Sequence, residues 1–401
     1  MNADSITSAA LDQTGDAPPT ILQVLPRLDT GGVERGTVEI AEGIVQAGGR
    51  ALVASEGGRM VRELTRVGAE HVTLPLASKK PWVMRRNVDR LKALITERDV
   101  KLVHARSRAP AWSARAAARA LGVPFVTTFH GTYNLGPFGL KRAYNAVMAD
   151  GDRVIAISEF IRNHIARVYG VSGERVTVIH RGVDFSRFDP DRVSQERMIQ
   201  LVQRWRLPDG VPVIVLPGRL TRWKGQEVLI RALAKVQHRP VRALLVGSDQ
   251  GRTGYRDELQ ALIERLGLTD TVHLVGDCDD MPAAYKLADV VVSASTDPEA
   301  FGRVVAEGSA MGRPVIAPNH GAAPEIVAPG GQTGWLFWPE SADDLARALD
   351  EALALTAEQR EALKDRAIAR VKAEFSKERM VDRTLAVYQD LLGLDSAGGK
   401  P

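Results

Sequence analysis

Two acids and two cations in the second half of this chain are spaced to share one extended anionic ligand. Glu299 and Glu307 stand eight residues apart in DPEAFGRVVAEGSAM, where FGRVVAEGSAM reads as a helix following a loop. Eight helical positions rise roughly 12 Å, against the ~5 Å between the carboxylates of a retaining glycosidase, so the two are not a hydrolytic pair. They suit different parts of one ligand: Glu299, on the loop, meets a sugar, and Glu307, two turns along, accepts from ribose hydroxyls. Between them the N–H groups of Phe301, Gly302 and Arg303 would open the helix, where its dipole favours a diphosphate and Gly302 permits close approach. Spacing alone leaves a plain surface helix with solvated glutamates as an equal alternative.

Arg219 and Lys224 follow the apolar run VPVIVLPG, and at a strand's carboxyl end their charges would face a diphosphate. In the first half, RLDTGGVERG follows the first apolar run, and Gly31 and Gly32 give a loop whose backbone can lie against a phosphate or a sugar. No GxGxxG occurs at that loop and no GxxxxGK[ST] anywhere, which argues against nicotinamide cofactors and nucleoside triphosphate hydrolysis. His130 sits directly after PFVTTF, a cleft position, and His104 in KLVHARS occupies an equivalent strand end that would line an acceptor side. Asp277 and Asp279 form the Asp-x-Asp pattern of divalent-ion sites. That pattern recurs at Asp150/Asp152 and Asp189/Asp191, so no metal is expected, and Gly276 with Asp277 is expected to flank a nucleotide base.

The elements that must position these residues alternate strand and helix. ILQVL, ALVAS, HVTLPL, KLVHA, PFVTTF, RVIAIS and RVTVIH come first, then VPVIVLPG, RALLVGS, TVHLVG, DVVVSAS, RPVIAP and GWLFW. Each run is apolar throughout, as strands buried on both faces of a parallel sheet require. At 401 residues the chain is too long for one core. The expected class is α/β: two Rossmann-like doubly wound domains with a cleft between them and C-terminal helices packing back. Residues 1–19 read as a disordered tail, 20–189 and 190–375 as the two domains with the linker in HRGVDFSRFDPDR, and 376–401 as a returning helix with a frayed SAGGKP end.

GGVERG (Gly31 to Gly36), TFHG (Thr128 to Gly131), AISE (Ala156 to Glu159), RGVD (Arg181 to Asp184), GRLTRWKG (Gly218 to Gly225) and EAFGRVVAE occur in this order. Together they resemble glycosyltransferase family 4, retaining enzymes of the GT-B fold, over most of residues 20–390. The resemblance implies that Glu299 holds donor-sugar hydroxyls and Glu307 the ribose. It also implies that Arg219 and Lys224 neutralise the leaving diphosphate, that His130 lies near the donor sugar, and that the Gly31–Gly32 loop positions donor and acceptor. Arg303 stands where many members carry an aliphatic residue. The implied substrates are a UDP-, GDP- or ADP-sugar donor and a glycan or lipid-linked acceptor of lipopolysaccharide core or another envelope glycan, with no cofactor and no metal. Two rivals remain, a non-hydrolysing UDP-sugar 2-epimerase and a non-catalytic nucleotide-sugar-binding partner subunit.

Formal charge is +4, a mild excess that does not mark a nucleic-acid binder. It is unevenly placed: residues 79–119 hold 12 Lys or Arg against three acids, with Trp82 and Trp112 among them. Such a run suits the anionic inner face of a membrane. The single Cys278 excludes an internal disulfide, no apolar run nears the ~18 residues of a membrane span, and the N-terminus lacks a secretory pattern. The expected location is cytoplasmic, with peripheral contact to the inner membrane.

Overall fold

The computed structural model describes Leu11, residues 17–328 and residues 331–394. The SAGGKP end and most of the N-terminal tail lie outside the described residues. Leu11 corrects part of the tail expectation: its side chain is buried in a core, and its N–H donates to Ala47 O at 2.8 Å.

The chain divides into two units, one running to Gly182 and resuming at Lys377, the other Val183–Ser376. The boundary therefore falls seven residues before Asp189. Val183 forms a parallel bridge with Ser376, and its N–H donates to Phe375 O at 2.8 Å, so the entry and exit of the second unit are pinned side by side.

The first unit is built on seven parallel strands: β1 (Thr20–Val24), β2 (Arg50–Ser55), β3 (Glu70–Thr73), β4 (Val100–Ala105), β5 (Phe125–Phe129), β6 (Arg153–Ala156) and β7 (Val176–Val178). Their order is β3-β2-β1-β4-β5-β6-β7. β1 and β5 are buried along their whole length, which explains why their residues are apolar or β-branched apart from Gln23, whose buried amide donates to Thr37 O at 3.0 Å. The order in which strands are added across the sheet reverses between β1 and β4, and in doubly wound sheets ligands bind outside the strand carboxyl ends at that switch. The helix Lys377–Leu392 closes this unit's core, with Val381 against Gly43 and Tyr388 fully buried. A Cβ on Gly43 would sit 2.2 Å from Val381 Cγ1, so glycine sets how closely that helix approaches Gly32–Gln46.

The second unit repeats the plan with six strands: β8 (Val213–Pro217), β9 (Arg242–Val246), β10 (Val272–Gly276), β11 (Val290–Val292), β12 (Val315–Pro318) and β13 (Gly334–Phe337). Their order is β10-β9-β8-β11-β12-β13, all parallel, with the switch between β8 and β11. The loops carrying Arg219 and Lys224 leave β8, and the loop carrying Glu299 leaves β11. The sheet therefore delivers both groups to one point. Helix Ala357–Glu374 is started by a capping box, Thr356 with Gln359, that satisfies two first-turn N–H groups.

Candidate active site

In the second unit the β8 and β11 loops are stapled together. Gly225 has φ 68°, and a Cβ there would fall 1.8 Å from Ala294 O, so only glycine lets the turn after Lys224 pass the end of β11. Trp223 O accepts from Thr296 N at 2.8 Å. This places Lys224 Nζ 2.7 Å from Glu299 Oε1, an oxygen that also accepts from Ser295 Oγ. The two side chains are only 14% and 18% exposed, so water screens the pair weakly. Among the described residues no hydrogen bond reaches Glu299 Oε2. Arg219, one residue past Gly218, is exposed, and its guanidinium has no partner among the described residues.

Glu307 is 9% exposed. Its Oε2 accepts from Tyr285 OH at 3.0 Å, while Arg303 grips Oε1 through Nη2 at 2.7 Å and Nε at 3.2 Å. Burial, then the Glu307 charge, drives the Tyr285 phenol well above its usual range, so it stays a donor. Arg303 thus has a defined contact: it closes over the carboxylate one turn along its own helix.

The helix itself starts later than FGRVV implies. It spans Arg303–Ala310, with Gly302 as N-cap at φ 88°. Its first-turn N–H groups are those of Arg303 and Val304, not Phe301 and Gly302. Phe301 is buried, its ring edge-on to Phe375. Of the seven residues between the two glutamates, three (300–302) precede the helix, so the 12 Å rise does not apply.

Gly276 and Asp277 are exposed at the end of β10, with Gly276 O accepting from Gly247 N at 2.8 Å and Asp277 O from Arg204 Nη2 at 3.0 Å. Asp279 is exposed, whereas the neighbouring Asp280 caps helix Met281–Leu287 and is forked by Arg197. No group of three His, Cys, Asp or Glu side chains that could hold a metal occurs among the described residues.

In the first unit, Gly31 and Gly32 lead into helix Gly32–Gln46, with Gly31 as its N-cap. Arg181 Nη2 donates to Gly32 O. His130 follows β5, half-buried, with Nδ1 3.5 Å from Arg181 Nη1. Burial first, then the Arg106 and Arg181 charges, hold it well below the usual imidazole range. His104 is a correction. It is fully buried, with Nδ1 2.6 Å from Tyr388 OH and Nε2 2.7 Å from Thr128 Oγ1, so both ring nitrogens are spent inside the core and neither is left for an acceptor. Burial, then the Arg106 charge, keeps it neutral.

Comparison with known proteins supplies the family. Residues 199–370 match the model described as glycosyl transferases group 1, and residues 30–187 match glycosyltransferase family 4. A Mycobacterium tuberculosis protein, described as a GDP-mannose-dependent alpha-(1-6)-phosphatidylinositol monomannoside mannosyltransferase, is 32% identical over 275 residues, 66% of this chain and 69% of that one. The chain belongs to glycosyltransferase family 4. A glycosyltransferase from Rickettsia africae superposes with TM-score 0.87 at 36% identity, covering 94% of this chain and all of that one. Anabaena HepE in complex with UDP gives 0.78 at 25%, covering 93% and 100%. This glycosyltransferase is an enzyme of the hexosyltransferase type with the GT-B fold, which removes the partner-subunit rival.

Sequence reasoning missed the residues that hold the Glu299 loop. His320 Nε2 lies 2.9 Å from Ser295 O, Ala322 N donates to Glu299 O at 3.0 Å, and a Cβ on Gly321 would sit 2.6 Å from Glu299 O. The stretch NHGA after β12 is the signal that would have found them, a Gly-containing turn at the next strand's carboxyl end.

The basic stretch of this glycosyltransferase is less open than its composition implied. Arg106 is buried, Arg98 pairs with Glu70, Lys101 with Asp99, and Arg115 and Arg119 share Asp150. Trp112 is half-buried, stacks on Tyr144 and donates to its carbonyl. What stays exposed clusters at helix Pro81–Glu97: Lys79, Lys80, Arg85, Arg86 and Arg90, beside Trp82 at 60% exposure. No helix among the described residues is long and apolar enough to cross a membrane.

Proposed function

We propose that this glycosyltransferase moves a hexose from a nucleoside-diphosphate sugar to a hydroxyl of a glycan or lipid-linked acceptor, with retention of configuration and without a metal. The observation that carries this reading is the Lys224–Glu299 pair, held with the unpartnered Arg219 at the β8/β11 switch. Lys224 and Arg219 put two positive charges where a diphosphate leaves, and negative charge grows there as the glycosidic bond breaks. Glu299 keeps Oε2 for sugar hydroxyls, and Glu307 takes the ribose. The bond from C1 to the diphosphate oxygen breaks, the acceptor oxygen bonds C1 on the same face, and its proton passes to a departing phosphate oxygen. No enzyme base is needed; orientation and charge stabilisation suffice.

Two cations replace the electrostatic work that a divalent ion does in other transferases. Incubation with a panel of nucleotide sugars and acceptors in EDTA should therefore give transfer with retained anomeric configuration. Activity lost in chelator and restored by Mg²⁺ would return a metal to the Asp277/Asp279 loop, and conversion of a UDP-sugar without any acceptor would make the chain an epimerase.

The lipid-linked acceptor is supported by the M. tuberculosis relative, whose described acceptor is a phosphatidylinositol glycoside. We place the enzyme on the cytoplasmic face of the inner membrane, building lipopolysaccharide or another envelope glycan. Each exposed cation at helix Pro81–Glu97 contributes roughly 1 kcal/mol at an anionic leaflet, and Trp82 suits the interface. Phe138 and Leu140, 101% and 77% exposed beside Lys141 and Arg142, add an apolar loop that a bilayer can cover. Sedimentation with anionic vesicles at low salt is expected for the wild type and lost when Lys79, Lys80, Arg85 and Arg86 become Glu. Unchanged sedimentation of that variant would make the cluster a solvated face.

A further inference from the structure

The chemistry proposed above leaves Arg303 without a task. This residue stands midway between the two glutamates, four positions from each. It is the first residue of helix Arg303–Ala310 and folds along that helix to fork Glu307 Oε1, through Nη2 at 2.7 Å and Nε at 3.2 Å. The Tyr285 phenol, raised first by its own burial, is raised further by Glu307 and Glu299 and lowered by Arg303, so both acids and the arginine lie within charge range of one hydroxyl. Lys224 joins them through its bond to Glu299.

Helix geometry works against the grip of Arg303 on Glu307. Cα–Cβ bonds in a helix tilt toward its amino end, so a side chain at 303 leans away from Glu307 and over the helix start. In i,i+4 pairs the acid is better placed N-terminal to the base, and here the order is reversed. The helix dipole also sets its positive end beside this first residue. The Arg303 and Glu307 side chains are 44% and 11% exposed, so the arginine is the partner that can leave.

A ribose on Glu307 competes for the oxygen that Arg303 holds. In a nucleoside diphosphate the phosphates hang on that same ribose, so the ligand that displaces the arginine also brings an anion to it. Four helical positions rise only roughly 6 Å, within the sweep of an arginine side chain. A guanidinium forks phosphate oxygens as it forks a carboxylate. We propose that Arg303 is a ribose-released phosphate ligand: it holds Glu307 until the ribose takes its place, then turns to the donor's phosphate oxygens beside Arg219 and Lys224. The proposal rests on the function proposed above, in which Glu307 takes the ribose. Its consequence is selection for the joined ligand. A nucleoside displaces Arg303 and offers it nothing, whereas the diphosphate gives the displaced cation a new partner.

The test is calorimetric titration of the full chain with UDP, GDP and ADP and with uridine, guanosine and adenosine. Wild type is compared with Arg303→Met and Arg303→Lys. For the base that wild type prefers, Arg303→Met should weaken the diphosphate about tenfold or more, the loss of a charge-assisted hydrogen bond. The same change should tighten the matching nucleoside, because Glu307 Oε1 then stands open to the ribose. The preference for diphosphate over nucleoside therefore falls by about tenfold or more. Arg303→Lys keeps a cation for the phosphates but cannot fork the carboxylate, so it should tighten the nucleoside and keep most of the diphosphate affinity. It carries the test should Arg303→Met fail to fold. A diphosphate preference unchanged in Arg303→Met, whether both ligands weaken equally or neither changes, makes the arginine a prop for Glu307 and overturns the proposal alone. So does a nucleoside weakened by Arg303→Lys. Wild type that binds none of the six ligands would strike the donor-site reading, and the proposal with it.

Discussion

Lys224→Ala is expected to lower kcat by about two to three orders of magnitude, the range for removing one preorganised group aimed at developing charge. Lys224 is held by three features that owe nothing to a ligand: the Gly225 turn, the Trp223–Thr296 backbone bond and the Glu299 carboxylate. A cation fixed this way is already in place when the diphosphate departs. Its loss should therefore appear in kcat more than in donor affinity. Glu299→Gln should depress turnover too, because the amide keeps the shape and the Ser295 contact but gives Lys224 no charge to orient it. The two changes share one interaction, so the double variant should fall short of the product of the single losses. Arg222, next but one in the same loop, pairs with Glu258 at the surface, and Arg222→Ala should stay within about twofold of wild type. Steady-state rates on variants with matched melting temperatures decide the matter. Lys224→Ala with kcat near wild type would remove the β8/β11 switch as the site of chemistry.

How much of this was legible in the sequence depends on whether the signal was local. Most strands were readable because, like β5, β8 and β12, they are buried on both faces and carry apolar or β-branched runs, whereas β3 at the sheet edge is only partly buried. Arg219, Lys224 and Glu299 were readable because a strand's carboxyl end is a position along the chain as well as in space. Side-chain direction was not readable. His104 and His130 both follow apolar runs, yet His104 turns inward onto Tyr388, 284 residues away, a contact no window on the sequence contains. The supports of the Glu299 loop failed to register for the same reason, since His320 and Gly321 reach it from the next strand. The basic stretch misled in the opposite way: its cations are real, but Asp150 and Glu70, outside the counted segment, neutralise three of them. The early boundary at Gly182 follows from the bridge between Val183 and Ser376, a pairing across the whole second unit.

Glu307→Ala is expected to weaken binding of the best nucleoside diphosphate by about 10- to 100-fold, the loss of one or two hydrogen bonds to a charged acceptor. In the ligand-free chain the carboxylate is not idle, since Tyr285 and Arg303 together occupy both oxygens. Tyr285 is buried and cannot leave, but the Arg303 side chain is 44% exposed and can swing away, so a ribose would replace the arginine and keep the tyrosine. Displacing Arg303 does not leave the buried carboxylate bare, because the ribose hydroxyls would replace the two hydrogen bonds that the arginine gives up. Tyr285→Phe should then weaken the nucleotide by less than tenfold, because it loosens the aim of Glu307 without removing the acceptor. The discriminating ligand is the same nucleotide without its 2′ and 3′ hydroxyls. Wild type should bind it about as weakly as Glu307→Ala does, and the variant should no longer distinguish the two nucleotides. Should Glu307→Ala still prefer the intact ribose as strongly as wild type, the carboxylate does not read those hydroxyls and Glu307 is a structural acid that anchors Tyr285 and Arg303.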